Sequence, residues 1–240
     1  MHAAERRGPI VSRDHARGFR LQAVDAGALI WVSLEILAHP TDVQSGVRGT
    51  IDTDALGAAL GVPADRLLAD HWFVAGAAAG PALECLRKVG LVTDTGAAVH
   101  VTLPDGVVAM GELTFTGDGG ARLALDVFSQ SGTSVFARSS RPHFWIAARS
   151  ILPVPSLVDE TKAIMAAIAS TMSTRGWGFD AVCKATTHYV GSSAAEDLHE
   201  NMKVRNAYYR RPGPASTGLP VAAFPLSSSK IAVDLLGVIR

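Results

Sequence analysis

The sequence predicts an α+β fold laid out twice along one chain of 240 residues. Three observations lead there. Short runs of alternating apolar and polar residues, the period of half-buried strands, recur along the chain. Longer runs with apolar residues every three to four positions, the period of an amphipathic helix, fall between them in each half. The halves also align with one another: Leu29-Ile-Trp-Val-Ser-Leu-Glu35 lies over His143-Phe-Trp-Ile-Ala-Ala-Arg149, and Pro63-Ala-Asp65 through Phe73-Val-Ala over Gly178-Phe-Asp180 through His188-Tyr-Val. Leu103-Pro104 likewise lies over Phe224-Pro225, and Glu112 over Asp234.

Taken in order, residues 1 to 18 are basic, with Arg6, Arg7, Arg13 and Arg17, and read as a frayed or edge segment. Strands follow at Phe19 to Val24 and Ala28 to Ser33, then a short helix from Asp52 to Leu60 and a strand from Leu67 to Val74. A second helix, Pro81 to Val89, is closed by Gly90, and Val99 to Leu103 with Val107 to Phe115 reads as a strand pair. Thr116-Gly-Asp-Gly-Gly is the clearest linker. Beyond it, Arg122 to Phe128, Ser134 to Arg138 and Phe144 to Ala148 alternate as strands. The helix from about Val158 to Arg175 opens on a Ser156-x-x-Asp159 capping box, aligns Ile164, Ile168 and Met172, and stops at Gly176. Ala181 to Tyr189 is a strand. The last helix opens with Ser193-x-x-Glu196, carries Leu198, Met202, Tyr208 and Tyr209, and ends before Pro212. Strands from Leu219 to Phe224 and Ile231 to Ile239 finish the chain.

Composition excludes several functions. Hydrophobic residues make up 48% of the chain, enough for a sizeable core, so this is not a disordered protein. Lys plus Arg equals Asp plus Glu at 22 each, so no net field recruits nucleic acid or an anionic membrane. There is no run of 18 apolar residues to span a bilayer. Cys85 and Cys183 form no CxxC motif, and with no secretory leader they imply buried, reduced thiols in a cytoplasmic protein. The eight His lack any metal-binding spacing, so neither metal nor cofactor is expected.

The closing stretch Pro212-Gly-Pro-Ala-Ser-Thr-Gly-Leu-Pro-Val-Ala-Ala-Phe-Pro225, with Lys230-Ile-Ala-Val-Asp-Leu-Leu-Gly-Val-Ile239 after it, resembles the end of the RidA/YjgF family. Those are small enamine and imine deaminases that end in Pro-Ala-Arg, a strand, Leu-Pro and a Glu-bearing last strand. The resemblance implies two RidA-like (chorismate-mutase-like) domains, each a mixed sheet with two helices on one face. A degenerate domain would span 19–115, and one carrying the site 121–240. The first domain's helix is about half the expected length, so that domain should lean on the second. The resemblance further implies a homotrimer closed through the helix-free sheet face, with pockets at subunit boundaries.

The family's carboxylate-gripping Arg corresponds here to Ser216 and its Glu to Ala232, so the usual pair is missing. Replacements follow from strand geometry. Side chains two apart share a face, which makes Asp234 either a displaced acid or a structural partner. Arg149, directly after the apolar run Phe144 to Ala148, wants a carboxylate or a bound anion, and His188 is either a core histidine or a general acid or base. Ser216 and Thr217 offer hydrogen bonds to a substrate. Arg205, Arg210 and Arg211 read as a solvated helix face, and Trp145 as core or interface. The expected function is hydrolysis or elimination on a small carboxylate-bearing imine, enamine or enol ether in specialised metabolism. Two alternatives stand beside it. One is a chorismate-hydrolysing enzyme, a branch similar in its tandem order and its Pro-Ala-Ser-Thr-Gly segment. The other is a pocket that only binds a metabolite.

Overall fold

Alternation along the strands, carried into register by the ladders, builds two sheets in the computed structural model, which describes residues 10–14, 18–38, 51–117, 122–191 and 195–239. The chain divides into two compact units, Met1–Leu123 and Ala124–Arg240. The linker core Asp118 to Gly120 and the helix-opening Ser193 lie outside the described residues, as does most of the basic segment at the start.

In the first unit, β1 (Ile10–Asp14), β2 (Phe19–Asp25) and β3 (Leu29–Leu37) form an antiparallel meander. Helix α1 (Thr53–Leu60), β4 (Leu67–Val74), α2 (Gly80–Lys88), β5 (Val99–His100) and β6 (Val107–Thr116) follow. The strand order is β1-β2-β3-β6-β4-β5. The expected pairing of Val99 to Leu103 with Val107 to Phe115 does not form. Only two residues of β5 are strand, and they pair in parallel with β4, while β6 lies between β3 and β4. Asp52 caps α1 by accepting from the Ala55 N–H at 2.9 Å, and Gly61, at φ 64°, closes it in the left-handed region that favours glycine.

The second unit repeats this plan with β7 (Asp126–Gln130), β8 (Thr133–Ser140), β9 (His143–Ser150), α3 (Leu157–Thr174), β10 (Val182–Val190), α4 (Ala195–Asn206), β11 (Ala215–Val221) and β12 (Ile231–Val238). Its order, β7-β8-β9-β12-β10-β11, is that of the first sheet strand for strand. The registers agree too: Glu35, Met110 and Phe73 face one another as Arg149, Ala232 and His188 do. The molecule is therefore α+β, with two mixed sheets each accompanied by two helices.

At the start of α3 the N-cap bond is made: Ser156 Oγ accepts from the Asp159 N–H at 3.0 Å and donates to Asp159 Oδ2 at 2.7 Å. Ile164, Ile168 and Met172 are buried against Val135, Phe144, Ile146, Val233 and Leu235, all on one face of the sheet. Each such side chain contributes roughly 1.5–3 kcal/mol relative to exposure. Strand β11 begins four residues before the expected Leu219. Its parallel ladder runs from Lys184↔Ala215 to Val190↔Val221, and the alternation toward Phe224 belongs to a following turn in which the Ser227 N–H donates to the Phe224 carbonyl at 3.1 Å. Neither thiol is the buried one expected: Cys183, at a register shift between Val182 and Lys184, is exposed, and Cys85, in α2, is half-buried. Among the described residues, no helix is long and apolar enough to cross a membrane.

Candidate functional site

On the face of the second sheet away from α3, three rows of side chains run across the strands. Arg149, Ala232, His188 and Leu219 make one row, with Ser134 at its β8 end. Ala147, Asp234, Thr186 and Thr217 make the next, with Phe136, and Trp145 and Leu236 the third, with Arg138. This helix-free face is polar in part. His188 and Asp234 are 4% and 9% exposed, and Arg138 is 7% exposed.

Burial makes the polar groups here costly unless they are paired, and pairing is what the geometry provides. Trp145 Nε1 donates to Asp234 Oδ1 at 3.2 Å, a bond between strands neighbouring in the sheet. The Arg138 guanidinium stands 5.8 Å from the same indole ring, so Trp145 offers its N–H to a carboxylate and its face to a cation. Arg149 is half-buried and donates to the Ser150 carbonyl at 3.1 Å. None of Arg138, Arg149, His188 and Asp234 lacks a partner.

Of the five candidates, the register places Arg149, His188, Asp234 and Thr217 on this face. Ser216 pairs with Ala185, a residue of the α3-side core, and so belongs to the opposite face. Both Ser216 and Thr217 are exposed on the edge strand. Arg138 and Trp145 were not among the candidates. Ser134, Phe136 and Arg138 alternate with the core residues Val135 and Ala137, and that period of two was the signal that could have placed Arg138 here.

In the first unit the Arg149 position carries Glu35, which is ion-paired to Arg20 at 2.6 Å, and the Asp234 position carries Glu112. The charge at the end of the row is thus reversed. A cleft of about 340 Å³ does lie in that unit, beside α1, lined by Leu60, Val62, Val89 and Leu91 among others. Among the described residues, no titratable side chain lines it, so those residues have nothing with which to move a proton. Among the described residues, no cluster of His, Cys, Asp or Glu could hold a metal ion.

A tandem α+β chain with one polar sheet face in its second half is the class that fold and site define. No protein-family model matches the chain, and no curated protein does. Among solved structures, it is similar to the yeast protein YEO7 at 17% identity, covering 43% of this chain and 85% of that one with a TM-score of 0.38. An uncharacterized Pseudomonas aeruginosa protein matches at 10% identity over 49% of this chain and 100% of its own, TM-score 0.38. Rv2704 of Mycobacterium tuberculosis, a member of the YjgF/YER057c/UK114 family, matches at 12% identity over 43% and 84%, TM-score 0.37. Scores of this size over less than half of the chain carry no functional weight.

Proposed function

We propose that the second unit is a RidA-like hydrolase or lyase acting on a small carboxylate-bearing imine, enamine or enol ether. The observation that supports this reading is the sharing of one buried face by Arg149, His188 and Asp234 in adjacent rows, with Trp145 holding the Asp234 carboxylate. In this reading Arg149 grips the substrate carboxylate with its planar fork, and Thr217 adds a hydroxyl at the edge of the row. For an imine, water attacks the carbon, Asp234 or His188 takes the water's proton, and the nitrogen receives one. The hydroxyl proton of the resulting carbinolamine then passes to the nitrogen as the C–N bond breaks, which gives a carbonyl compound and, from an N-unsubstituted imine, ammonia. Such proton transfers typically contribute 10²–10⁴-fold.

A thermal-shift panel of keto acids, cyclic imines and chorismate-like enol ethers finds the ligand, since a compound at about 100 times its Kd should add roughly 2.7 kcal/mol. Using that compound, Arg149→Ala should weaken substrate use about ten- to hundredfold, the equivalent of one lost charged contact. Arg149→Lys should recover only part. Asp234→Asn should lower kcat more than it raises KM. Turnover at the wild-type rate with an unchanged pH profile in Asp234→Asn would remove Asp234 from the mechanism, whereas a compound that binds the wild type without being turned over would leave a binding module.

A further inference from the structure

Arg205, in α4, is 4% exposed, and Asn201, one turn earlier, is 0% exposed. Arg205 Nε donates to Asn201 Oδ1 at 2.9 Å and Nη1 to Thr187 Oγ1 at 2.9 Å. Both acceptors are neutral. An arginine has five N–H donors, so these two bonds leave donors over, and no carboxylate among the described residues is ion-paired with the guanidinium. The other end of the Asn201 amide, Nδ2, is buried and has no hydrogen-bond partner among the described residues. Unused donors on a buried cation beside an orphaned buried N–H₂ form a locus that lacks an acceptor, above all a negative one. Burial holds Arg205 below the usual guanidinium range, with the Tyr209 and Tyr189 phenols acting the other way.

A way in is also present. Gly218 lies in edge strand β11, exposed, in an ordinary extended conformation that needs no glycine. A Cβ built there would meet one atom within 4 Å, Arg205 Nη2 at 3.7 Å. With no side chain at 218, Arg205 Nη2 faces the exposed edge of the sheet across Gly218 alone, although the residue as a whole stays buried. Ser216, two residues back on the same face of β11 and so about 6–7 Å along the strand, presents an exposed hydroxyl beside the opening.

We propose that Arg205, Asn201 and Ser216 form an oxoanion site on the helix-bearing side of the second unit, entered across Gly218 and taking the carboxylate or phosphate group of a small ligand. The site is separate from the face that carries Arg149 and Asp234, and it stands or falls independently of the reaction proposed there.

The test titrates the full chain with inorganic phosphate and, separately, with acetate, at ionic strength held constant with chloride, following heat of binding and Tm. Saturable binding of one or both is expected, and the tighter of the two tells a tetrahedral oxoanion from a planar one. Gly218→Val suits a strand, and its Cβ meets Arg205 Nη2 at an ordinary contact distance without replacing any bond of the buried network, so its Tm in chloride should be at or above that of the wild type. Its oxoanion affinity should fall at least about tenfold. Arg205→Lys, which keeps the charge and loses the fork, should bind more weakly as well. Absence of saturable binding, undiminished binding in Gly218→Val, or loss in Arg149→Ala with retention in Gly218→Val would each overturn the proposal.

Discussion

Glu160 shows how a single buried charge can be wholly structural. It sits in the first turn of α3 at 0% exposure, accepting from Ser229 Oγ at 2.7 Å and from the Lys230 N–H at 3.0 and 3.1 Å. Lys230 Nζ in turn donates to the Val154 and Pro155 carbonyls at 3.1 and 2.8 Å. The start of α3 and the start of β12 are thus stitched together from both sides. Glu160→Ala would orphan the Lys230 N–H and should cost about 1.5–3 kcal/mol, read as a lower urea midpoint, with Glu160→Gln restoring part. Tyr209 gives a pH signature. Burial pushes its phenol up to about 12, Arg205 acting the other way, whereas the unfolded chain loses that proton near 10. Between those values the unfolded state sheds a proton that the folded state keeps. The stability this group contributes is therefore complete below about pH 10 and is lost as the pH climbs toward 12, by an amount on the order of 2 kcal/mol. Melting curves across that range should fall less steeply for Tyr209→Phe than for the wild type.

At the scale of elements, helix α4 departs furthest from its pattern. Leu198 and Met202 mark its apolar positions, yet Met202 is 38% exposed while Asn201 and Arg205 are buried. Polar residues can hold those places because they bond to each other and to Thr187. The reading of Arg205 as part of a solvated face fails for that reason, while Arg210 and Arg211 are exposed but lie beyond the end of the helix at Asn206. Strand β12 carries a tighter constraint. Gly237 faces Phe144 across the ladder, and a Cβ there would run into that ring and lie 2.6 Å from the Ala181 carbonyl. Phe144 itself stacks on Trp177 with ring centroids 4.6 Å apart, so it has little room to yield. Gly237→Ala should then cost about 1–3 kcal/mol or more by overpacking, a loss that calorimetry would register as a lower Tm. An unchanged Tm would mean that the β9–β12 pair can part locally.

At the scale of the whole molecule, the two units share a strand order and differ in helix length: α1 has 8 residues where α3 has 18. The proposed RidA-like reading carries an assembly with it, a homotrimer. Light scattering at micromolar concentration should give about three chain masses, and a value near one chain mass would refute it. Much of this architecture could be read directly from the chain. Periods of two and 3.6 marked the strands and helices, and the Ser156 cap, Gly90 and Gly176 marked helix ends, because these signals act within a few residues. The repeat went further, since aligned sequences imply aligned registers, and register put Arg149, His188 and Asp234 on one face. Contacts distant in sequence were not legible. The Trp145–Asp234 bond spans 89 residues, Asp234 being matched to the other strand only by the fold, and Arg205 reached its buried place only once α4 had packed over Thr187. Local periodicity thus determined most of the elements and which way side chains point along the strands. The tertiary structure alone decided which polar groups lose their water, because that depends on what covers them.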